Sequence, residues 1–539
     1  MSFYSNHKNL LLFTFFLFFY VLVAVYFIID APEEVGWDYY SWINIANKYA
    51  DGHFKEAINA YWSPLMIWLM IPLIKLNLFD HKEVLAINFI AGIFLIMLAF
   101  KIAKQYLLTG IYKFIFILAF FFFSISIQVL YYDFVDFLSA VCLLAYIVFV
   151  SDKKMRVSKK YFILTSLTAI LCVFGKSFYT YFVFLHLLVM LVYYLIMNRG
   201  KIDILIGNII KTFLLVVLAV SIWSSLLNWK YAKFMLSSSG KYNFTMITPT
   251  GIGEHFGTKH GLFPPPDSYS YHHWVDATYY PIEERSIFKD SSSFRYNWSI
   301  LKYNLKVLLY TFSYISYFKW LVLFFIFFIF FIKNKLIKEN LIIYFLSSLV
   351  IMCGYTLILI EERYFCGVQL LLFVGVFISV FEYLRQQNKG YIVKLVAVFI
   401  VFISFTKFAY FSFDTWKHRD KKTVENILEY ENKIAHLPFM KNKKIATAYT
   451  HNGIGDLTCF EIFRKTNSQN YGSVGKYDDE KKQFEDLRKF EIDYFLYYGC
   501  SKVDKGNSCI SRDLPFYIKD KTPVYVDQKY GVSIYSMKP

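Results

Sequence analysis

Long apolar runs separated by short polar segments dominate the chain from residue 10 to residue 411. Most of these runs are roughly 16–24 residues long, the length of a helix that crosses the hydrocarbon core of a bilayer. The pattern predicts a polytopic α-helical membrane protein with about eleven spans. The predicted spans are 10–29, 84–100, 112–131, 134–150, 161–175, 178–197, 207–228, 317–332, 341–360, 365–383 and 391–411.

Basic residues between the runs orient these spans, because Lys and Arg collect in the cytoplasmic loops of membrane proteins. The basic segments that share one face, taken as cytoplasmic, are 101–113, 153–160, 199–201, 333–338 and 385–389. The N-terminus then lies in the cytoplasm, within a module predicted over 1–411. The first loop (30–83), a long loop (229–316) and the tail (412–539) lie outside.

The segment 62–78 is also apolar, but a full span there would turn every basic loop outward. Pro64 and Pro72 interrupt it. We therefore expect an interfacial or re-entrant helix on the outer face, where non-helical backbone needs protein cover.

The tail has a different pattern, with short apolar runs that are typical of strands. Between two of these runs, the stretch 478–490 has Phe484, Leu487 and Phe490 at helical spacing. This order predicts a small external α/β domain. Its predicted strands are Lys444–Tyr449, Ile492–Tyr498, Val524–Val526 and Gly531–Tyr535.

Composition excludes several classes of protein. Of 539 residues, 57% are apolar and only 18% are charged, against about 25% charged in soluble domains. The net charge of +17 is explained by the basic residues of the cytoplasmic loops. Nucleic-acid binding is not predicted, because the sequence has no basic stripe with interleaved aromatic residues. The seven cysteines form no CxxC pair, although Cys500 and Cys509 in the external tail are a candidate disulfide.

Ionisable residues at the outer membrane boundary are candidates for function, because a charge in the hydrocarbon costs at least about 2.5–3.5 kcal/mol. They are Asp38, Asp133, Asp136, Lys176, Glu361, Glu362 and Arg363. A carboxylate can act as a general base, and Lys and Arg can hold a phosphate. Each also has a structural explanation: Lys176 can extend to the interface, and Arg363 can pair with a neighbouring glutamate.

Five short segments, in this order along 1–385, resemble the GT-C superfamily of polytopic glycosyltransferases. The branch is the one with bacterial protein O-mannosyltransferase-like and lipid A aminoarabinose transferase-like proteins. The matching segments are Asp38-Tyr39-Tyr40 with Ala46 and Ala50-Asp51-Gly52, Trp62-Ser63-Pro64-Leu65, Asp136-Phe137-Leu138, Gly175-Lys176, and Glu362-Arg363-Tyr364. Two departures are Ser63, where the family has a lysine, and the absence of prolines after Tyr364.

The resemblance implies a polyprenyl-phosphate-linked sugar donor and an external lipid, glycan or protein acceptor. It further implies inversion at the anomeric carbon, in the plasma (inner) membrane of a bacterium. The implied roles are a base (Asp38), an acceptor-orienting carboxylate (Asp133 or Asp136) and donor-phosphate ligands (Lys176 and Arg363). The implied supporting residues are Tyr39, Tyr40, Glu361, Glu362 and Tyr364.

Alternatives remain open at this stage. A divalent metal is one, because the long loop contains imidazoles and carboxylates that could build a metal site; no other cofactor is expected. These residues are His255, His260, His272, His273, Glu254, Asp267 and Asp276. A secondary transporter is the second, although such proteins often have internal repeats and none is found here. The third is a non-catalytic assembly protein of the same fold.

Overall fold

The computed structural model describes most of the chain, in segments. These are 2–31, 37–108, 110–130, 134–197, 203–252, 261–282, 290–314, 318–386, 421–448, 460–474, 480–498 and 514–538, with single positions between 391 and 417. The chain divides into two compact units. The helical unit comprises Met1–Ala31, Ser63–Gly251 and Glu284–Arg419, and the α/β unit comprises Pro32–Trp62, Ile252–Glu283 and Asp420–Pro539.

Helices dominate the described residues. In chain order they are α1 (Ser2–Asp30), α2 (Trp37–Ala50), α3 (Phe54–Ala57), α4 (Pro64–Lys75), α5 (Glu83–Gln105), α6 (Gly110–Leu130), α7 (Asp136–Val150), α8 (Lys159–Gly175), α9 (Ser177–Met197), α10 (Ile204–Tyr231), α11 (Ser239–Met246), α12 (Ser291–Tyr314), α13 (Phe318–Phe331), α14 (Lys335–Thr356), α15 (Cys366–Gln386), α16 (Lys421–Ala435), α17 (Phe460–Thr466), α18 (Glu480–Lys489) and α19 (Phe516–Lys519). The strands are β1 (Ile247–Thr248), β2 (Gly251–Ile252), β3 (Lys444–Ala448), β4 (Gln469–Val474), β5 (Tyr494–Tyr498), β6 (Tyr525–Asp527) and β7 (Val532–Ser536).

The predicted membrane character of the chain is confirmed. Within the described residues, seven helices are long and apolar enough to cross a bilayer, by length and composition. They are Asn9–Asp30, Glu83–Gln105, Gly110–Leu130, Ser177–Met197, Ile204–Tyr231, Ile337–Thr356 and Glu362–Gln386. The apolar helices α4 and α7 are shorter. The interfacial segment expected over 62–78 contains α4.

The remaining predicted spans form helices shorter than the seven named above, or lie outside the described residues. The runs 134–150, 161–175 and 317–332 form helices of 15, 17 and 14 residues, namely α7, α8 and α13. The run 391–411 lies mostly outside the described residues. The structure differs from the prediction in the long loop expected over 229–316. Helix α12, of 24 residues, lies within this segment. Its lysines and serines lower its mean hydropathy, although its apolar residues recur at helical spacing.

Helices α7 and α15 lie in the core of the helical unit. Helix α15 packs against α7, α13 and α14, and α7 also packs against α5 and α8. The close approach of α15 to α7 depends on Gly367, where a Cβ would lie 2.7 Å from Cδ2 of Leu143. The residues that immediately precede α15 and those that begin α7 are therefore held by well-packed helices.

The predicted C-terminal α/β fold is confirmed. Its five-stranded sheet has the order β4-β3-β5-β7-β6. Strand β3 pairs in parallel with β4 and β5, whereas β7 is antiparallel to β5 and β6. Four of the five strands, and helix α18, match predicted runs. Strand β4 escaped prediction because Gln469–Val474 is mostly polar and contains Gly472, although it is largely buried.

The α/β unit also takes in parts of the first loop and of the long loop. The backbone N–H of Phe263 donates to the Tyr471 carbonyl at 2.8 Å, and that of Asn470 donates to the Tyr271 carbonyl at 2.6 Å. Lys48, on α2, is buried and donates to Asp267 at 2.8 Å. Helix α2 and the segment 261–282 are thus tied into one compact unit with the tail.

Candidate functional site

Three polar side chains of the helical unit come from turns next to helix ends. Asp136 is the first residue of α7 and is buried; the partial positive charge of a helix N-terminus favours a carboxylate there. Lys176 is extended and separates α8 from α9. Arg363 lies in a 3₁₀ turn, Glu362–Phe365, directly before α15.

These side chains form one cluster. The Lys176 ammonium contacts Oδ1 of Asp136 directly. Nε of Arg363 lies 4.0 Å from Oδ2 of Asp136 and 2.6 Å from Oε2 of Glu361. The Tyr364 hydroxyl donates to Oε1 of Glu361 at 3.2 Å. We call these five residues the Asp136 cluster, and the sequence singled out all five.

Aromatic rings complete the surroundings of both cations. Nζ of Lys176 lies 3.9 Å from the ring centroid of Tyr364 and 5.4 Å from that of Tyr355. Cζ of Arg363 lies 4.0 Å from the ring centroid of Phe134. Such contacts are attractive because the ring face is negative. Phe134 and Tyr355 were not predicted as site residues, because an aromatic residue at the end of a span is ordinarily a packing residue.

The cluster is largely shielded from water. The side chains of Lys176 and Arg363 are 14% and 19% exposed. Burial lowers the pKa of the Lys176 ammonium below its ordinary value, and the contact with Asp136 opposes this shift. A guanidinium has five N–H donors, so Arg363 can engage Glu361 and an incoming anion together. Two cations side by side suit a phosphate, which both can bond while stabilising its charge.

Ser63 occupies the position at which the resembled family has a lysine. Its hydroxyl oxygen accepts a hydrogen bond of 2.9 Å from the backbone N–H of Ser177, the first residue of α9. Ser63 therefore supports the turn that carries Lys176 and supplies no cation of its own. Glu362, also predicted to support the site, is half-buried in the same turn as Arg363.

Asp38 belongs to the α/β unit, in the first turn of α2. Nε1 of Trp274 donates to its Oδ1 at 3.4 Å. The hydroxyl of Ser41 donates to the Trp274 carbonyl at 3.4 Å, which holds α2 against the turn that carries the indole. Tyr39 and Tyr40, predicted as supporting residues, are both buried on α2.

Two histidines of the long loop, His272 and His273, are engaged in local structure. Nδ1 of His272 accepts from the backbone N–H of Trp274 at 3.1 Å, and Nδ1 of His273 lies 2.9 Å from the Tyr280 hydroxyl. Burial lowers the pKa of His273 to about 4. Among the described residues, no three His, Cys, Asp or Glu side chains gather as metal ligands would.

Several predicted residues lie outside the described residues. They are Asp133, the metal candidates Glu254, His255 and His260, and the cysteines Cys500 and Cys509. Their proposed roles stay predictions.

The likeness of this chain to known proteins is found among solved structures. No family model matches the chain, and no curated protein matches it. Among solved structures, the crystal structure of ArnT from Cupriavidus metallidurans bound to undecaprenyl phosphate superposes with a TM-score of 0.54. The match covers 96% of this chain and 97% of that one, at 10% sequence identity. The chain therefore shares the fold of this ArnT structure. At this identity the likeness establishes the architecture of the chain, and its chemistry has to be argued from its own residues.

Proposed function

We propose that this protein is a membrane glycosyltransferase that moves a sugar from a polyprenyl-phosphate-linked donor to an acceptor outside the cytoplasm. The observation that carries the proposal is the Asp136 cluster, in which Lys176 and Arg363 approach the same carboxylate. The ArnT-like fold supports it, because undecaprenyl phosphate is bound to ArnT in its crystal structure. The acceptor is a lipid, a glycan or a protein.

In this proposal the donor phosphate binds at Lys176 and Arg363. Both cations are only partly exposed, and a site shielded from water strengthens each charge–charge contact. Asp136 orients the Lys176 ammonium while the site is empty and shares it with the phosphate when the donor binds. Glu361 does the same for the guanidinium of Arg363.

The reaction is a single displacement that inverts the anomeric carbon. An acceptor hydroxyl attacks this carbon, its proton passes to the carboxylate of Asp38, and the bond from carbon to phosphate oxygen breaks. The electron pair leaves on polyprenyl phosphate, whose charge Lys176 and Arg363 stabilise. The role of Asp38 rests on the sequence resemblance, as does that of Asp133 or Asp136 in orienting the acceptor.

The full-length protein, purified in detergent, tests the proposal directly. It is mixed with radiolabelled polyprenyl-phosphate sugars, and the release of polyprenyl phosphate and the transfer of label are followed. We expect turnover with at least one sugar and saturable binding of undecaprenyl phosphate. Absence of binding to this lipid would overturn the proposal. Chelation of divalent cations in the same assay tests whether a metal takes part.

Asp38→Asn keeps the size of the side chain but removes the proton acceptor. Turnover should fall by about 10²–10⁴, the range for loss of a general base, while binding of undecaprenyl phosphate should be retained. Asp520→Asn, at an exposed carboxylate of the same unit, is the matched control and should behave as wild type. Near-normal turnover of Asp38→Asn would show that another group is the base.

The proposed orientation places the N-terminus in the cytoplasm and the tail outside. Reporter fusions after Lys154 and after Lys417 should therefore report opposite compartments, because an odd number of predicted spans separates them. Expression in a bacterium, with reporters active on only one side of the inner membrane, makes the measurement. The same compartment for both fusions contradicts this orientation.

A further inference from the structure

Three polar side chains lie buried among the apolar helices of the helical unit. They are Tyr20 on α1, Asn88 on α5 and Gln128 on α6, and each is at most 1% exposed. A buried polar group without a partner is costly. Their partners therefore indicate what these residues hold in place.

Three contacts join α1, α5 and α6 to one another. The Tyr20 hydroxyl lies 2.7 Å from Oε1 of Gln128 and 3.2 Å from the Phe89 carbonyl oxygen. Nε2 of Gln128 donates to the Asn88 carbonyl at 3.2 Å. Gly92 makes room for this network, because a Cβ there would lie 1.7 Å from the Tyr20 hydroxyl oxygen and 2.1 Å from Nε2 of Gln128.

The next contact leads to the Asp136 cluster. Nδ2 of Asn88 donates to the Phe134 carbonyl at 2.9 Å. Phe134 precedes α7 by two residues, and its ring centroid lies 4.0 Å from Cζ of Arg363. The buried amide of Asn88 thus holds a short segment that contains Phe134 and Asp136. The ring of Phe134 contacts Arg363, and the carboxylate of Asp136 contacts Lys176.

We propose that Asn88 is a positioning residue for phosphate binding, acting through Phe134 on Arg363 and through the start of α7 on Asp136. The inference rests on the proposed function, because it assigns these cations to the donor phosphate. Tyr20, Gln128 and Gly92 hold the backbone of Asn88, so its amide meets Phe134 at a defined distance. A cation pair binds phosphate well only when its geometry is held in advance.

The first test measures binding of undecaprenyl phosphate to purified full-length Asn88→Leu, together with the midpoint of thermal unfolding. Binding should weaken about tenfold, as expected for the loss of one positioning hydrogen bond. Asn208→Leu is the matched control, because Nδ2 of Asn208 also donates to a buried backbone carbonyl, that of Met155, at 2.8 Å. Met155 follows the opposite end of α7, so this variant should lose stability and keep wild-type binding.

The second test is a double-mutant cycle with Phe134→Leu, which removes the ring beneath Arg363. Because part of the effect of Asn88 passes through the Phe134 ring, the double variant should lose less affinity for undecaprenyl phosphate, in free energy, than the sum of the two single losses. If Asn88 affected binding independently of the Phe134 ring, the two losses would add. The cycle therefore tests the route through Phe134, and the comparison with Asn208→Leu separates positioning from a general loss of stability.

The outcomes distinguish this inference from the function beneath it. If the wild-type protein does not bind undecaprenyl phosphate, the proposed function falls and the inference with it. If the wild type binds and Asn88→Leu binds as Asn208→Leu does, only the inference is overturned. Additive losses in the cycle overturn it as well.

Discussion

Helix α7 has a lysine–aspartate pair at each of its ends. Lys176 contacts Asp136 at its first residue, and Lys101 contacts Asp152, two residues beyond its last. The two aspartates are similarly buried, at 4% and 8% exposure, and the two lysines at 14% and 20%. Each ammonium also faces a tyrosine ring, at 3.9 Å for Lys176 with Tyr364 and 5.0 Å for Lys101 with Tyr161.

The surroundings of the two pairs differ. Beside Asp136 a second cation, Arg363, approaches from a separate turn. Oδ1 of Asp152 instead accepts from the backbone N–H of Lys154 at 2.9 Å, so this carboxylate caps a 3₁₀ turn. A buried ion pair is weak evidence for function by itself, because pairing is what burial of a charge requires. The convergence of two cations on one buried carboxylate makes the first pair a candidate phosphate site.

Alanine at each lysine gives the largest contrast between the two ends. Lys176→Ala should weaken binding of undecaprenyl phosphate by about 10–100-fold, the value of a hydrogen bond to a charged group. Lys101→Ala should lower the midpoint of thermal unfolding and leave binding unchanged. The measurement is a titration of both purified variants with undecaprenyl phosphate. Equal losses of affinity would contradict the assignment of the phosphate site to the Lys176 end of α7.

A more conservative substitution tests whether the planar shape of the Arg363 guanidinium matters for binding. Arg363→Lys keeps the charge but loses the planar guanidinium, which can bond a phosphate through two parallel N–H groups and whose Cζ lies 4.0 Å from the Phe134 ring centroid. We expect binding to weaken by about tenfold, with the unfolding midpoint nearly unchanged. Arg385→Lys at the exposed end of α15, where Arg385 pairs with Glu382, serves as the control. Wild-type affinity in Arg363→Lys would mean that only charge matters at this position.

The smallest expected effect is a dependence on pH. Burial lowers the pKa of Lys176, so its ammonium loses its proton at a lower pH than an ordinary lysine. Above pH ~7 the phosphate is already a dianion, and binding should therefore weaken as pH rises through the lowered pKa. Lys176→Arg, which stays charged throughout, should flatten this dependence. A wild-type affinity that stays constant across the alkaline range would contradict the shift.

Sequence patterns predicted the parts of this protein that follow from local periodicity. The apolar runs form long helices because backbone polar groups in hydrocarbon must bond within their own segment. Strands β3 and β5–β7 follow apolar runs of strand length. Helix α12 and strand β4 were not predicted, because their polar residues weaken the local pattern. Packing against the rest of the protein stabilises both elements.

The sequence by itself determined which residue types stand at the helix ends, including Asp136, Lys176 and Arg363. Only the tertiary structure decided their partners: Lys176 contacts Asp136, and Arg363 lies against Glu361 and Phe134. It also decided that α2 and the segment 261–282 pack with the tail. The physical reason is that spans and strands arise from interactions between near neighbours in the chain. The site arises from contacts between distant turns, which form only when the helices behind them pack.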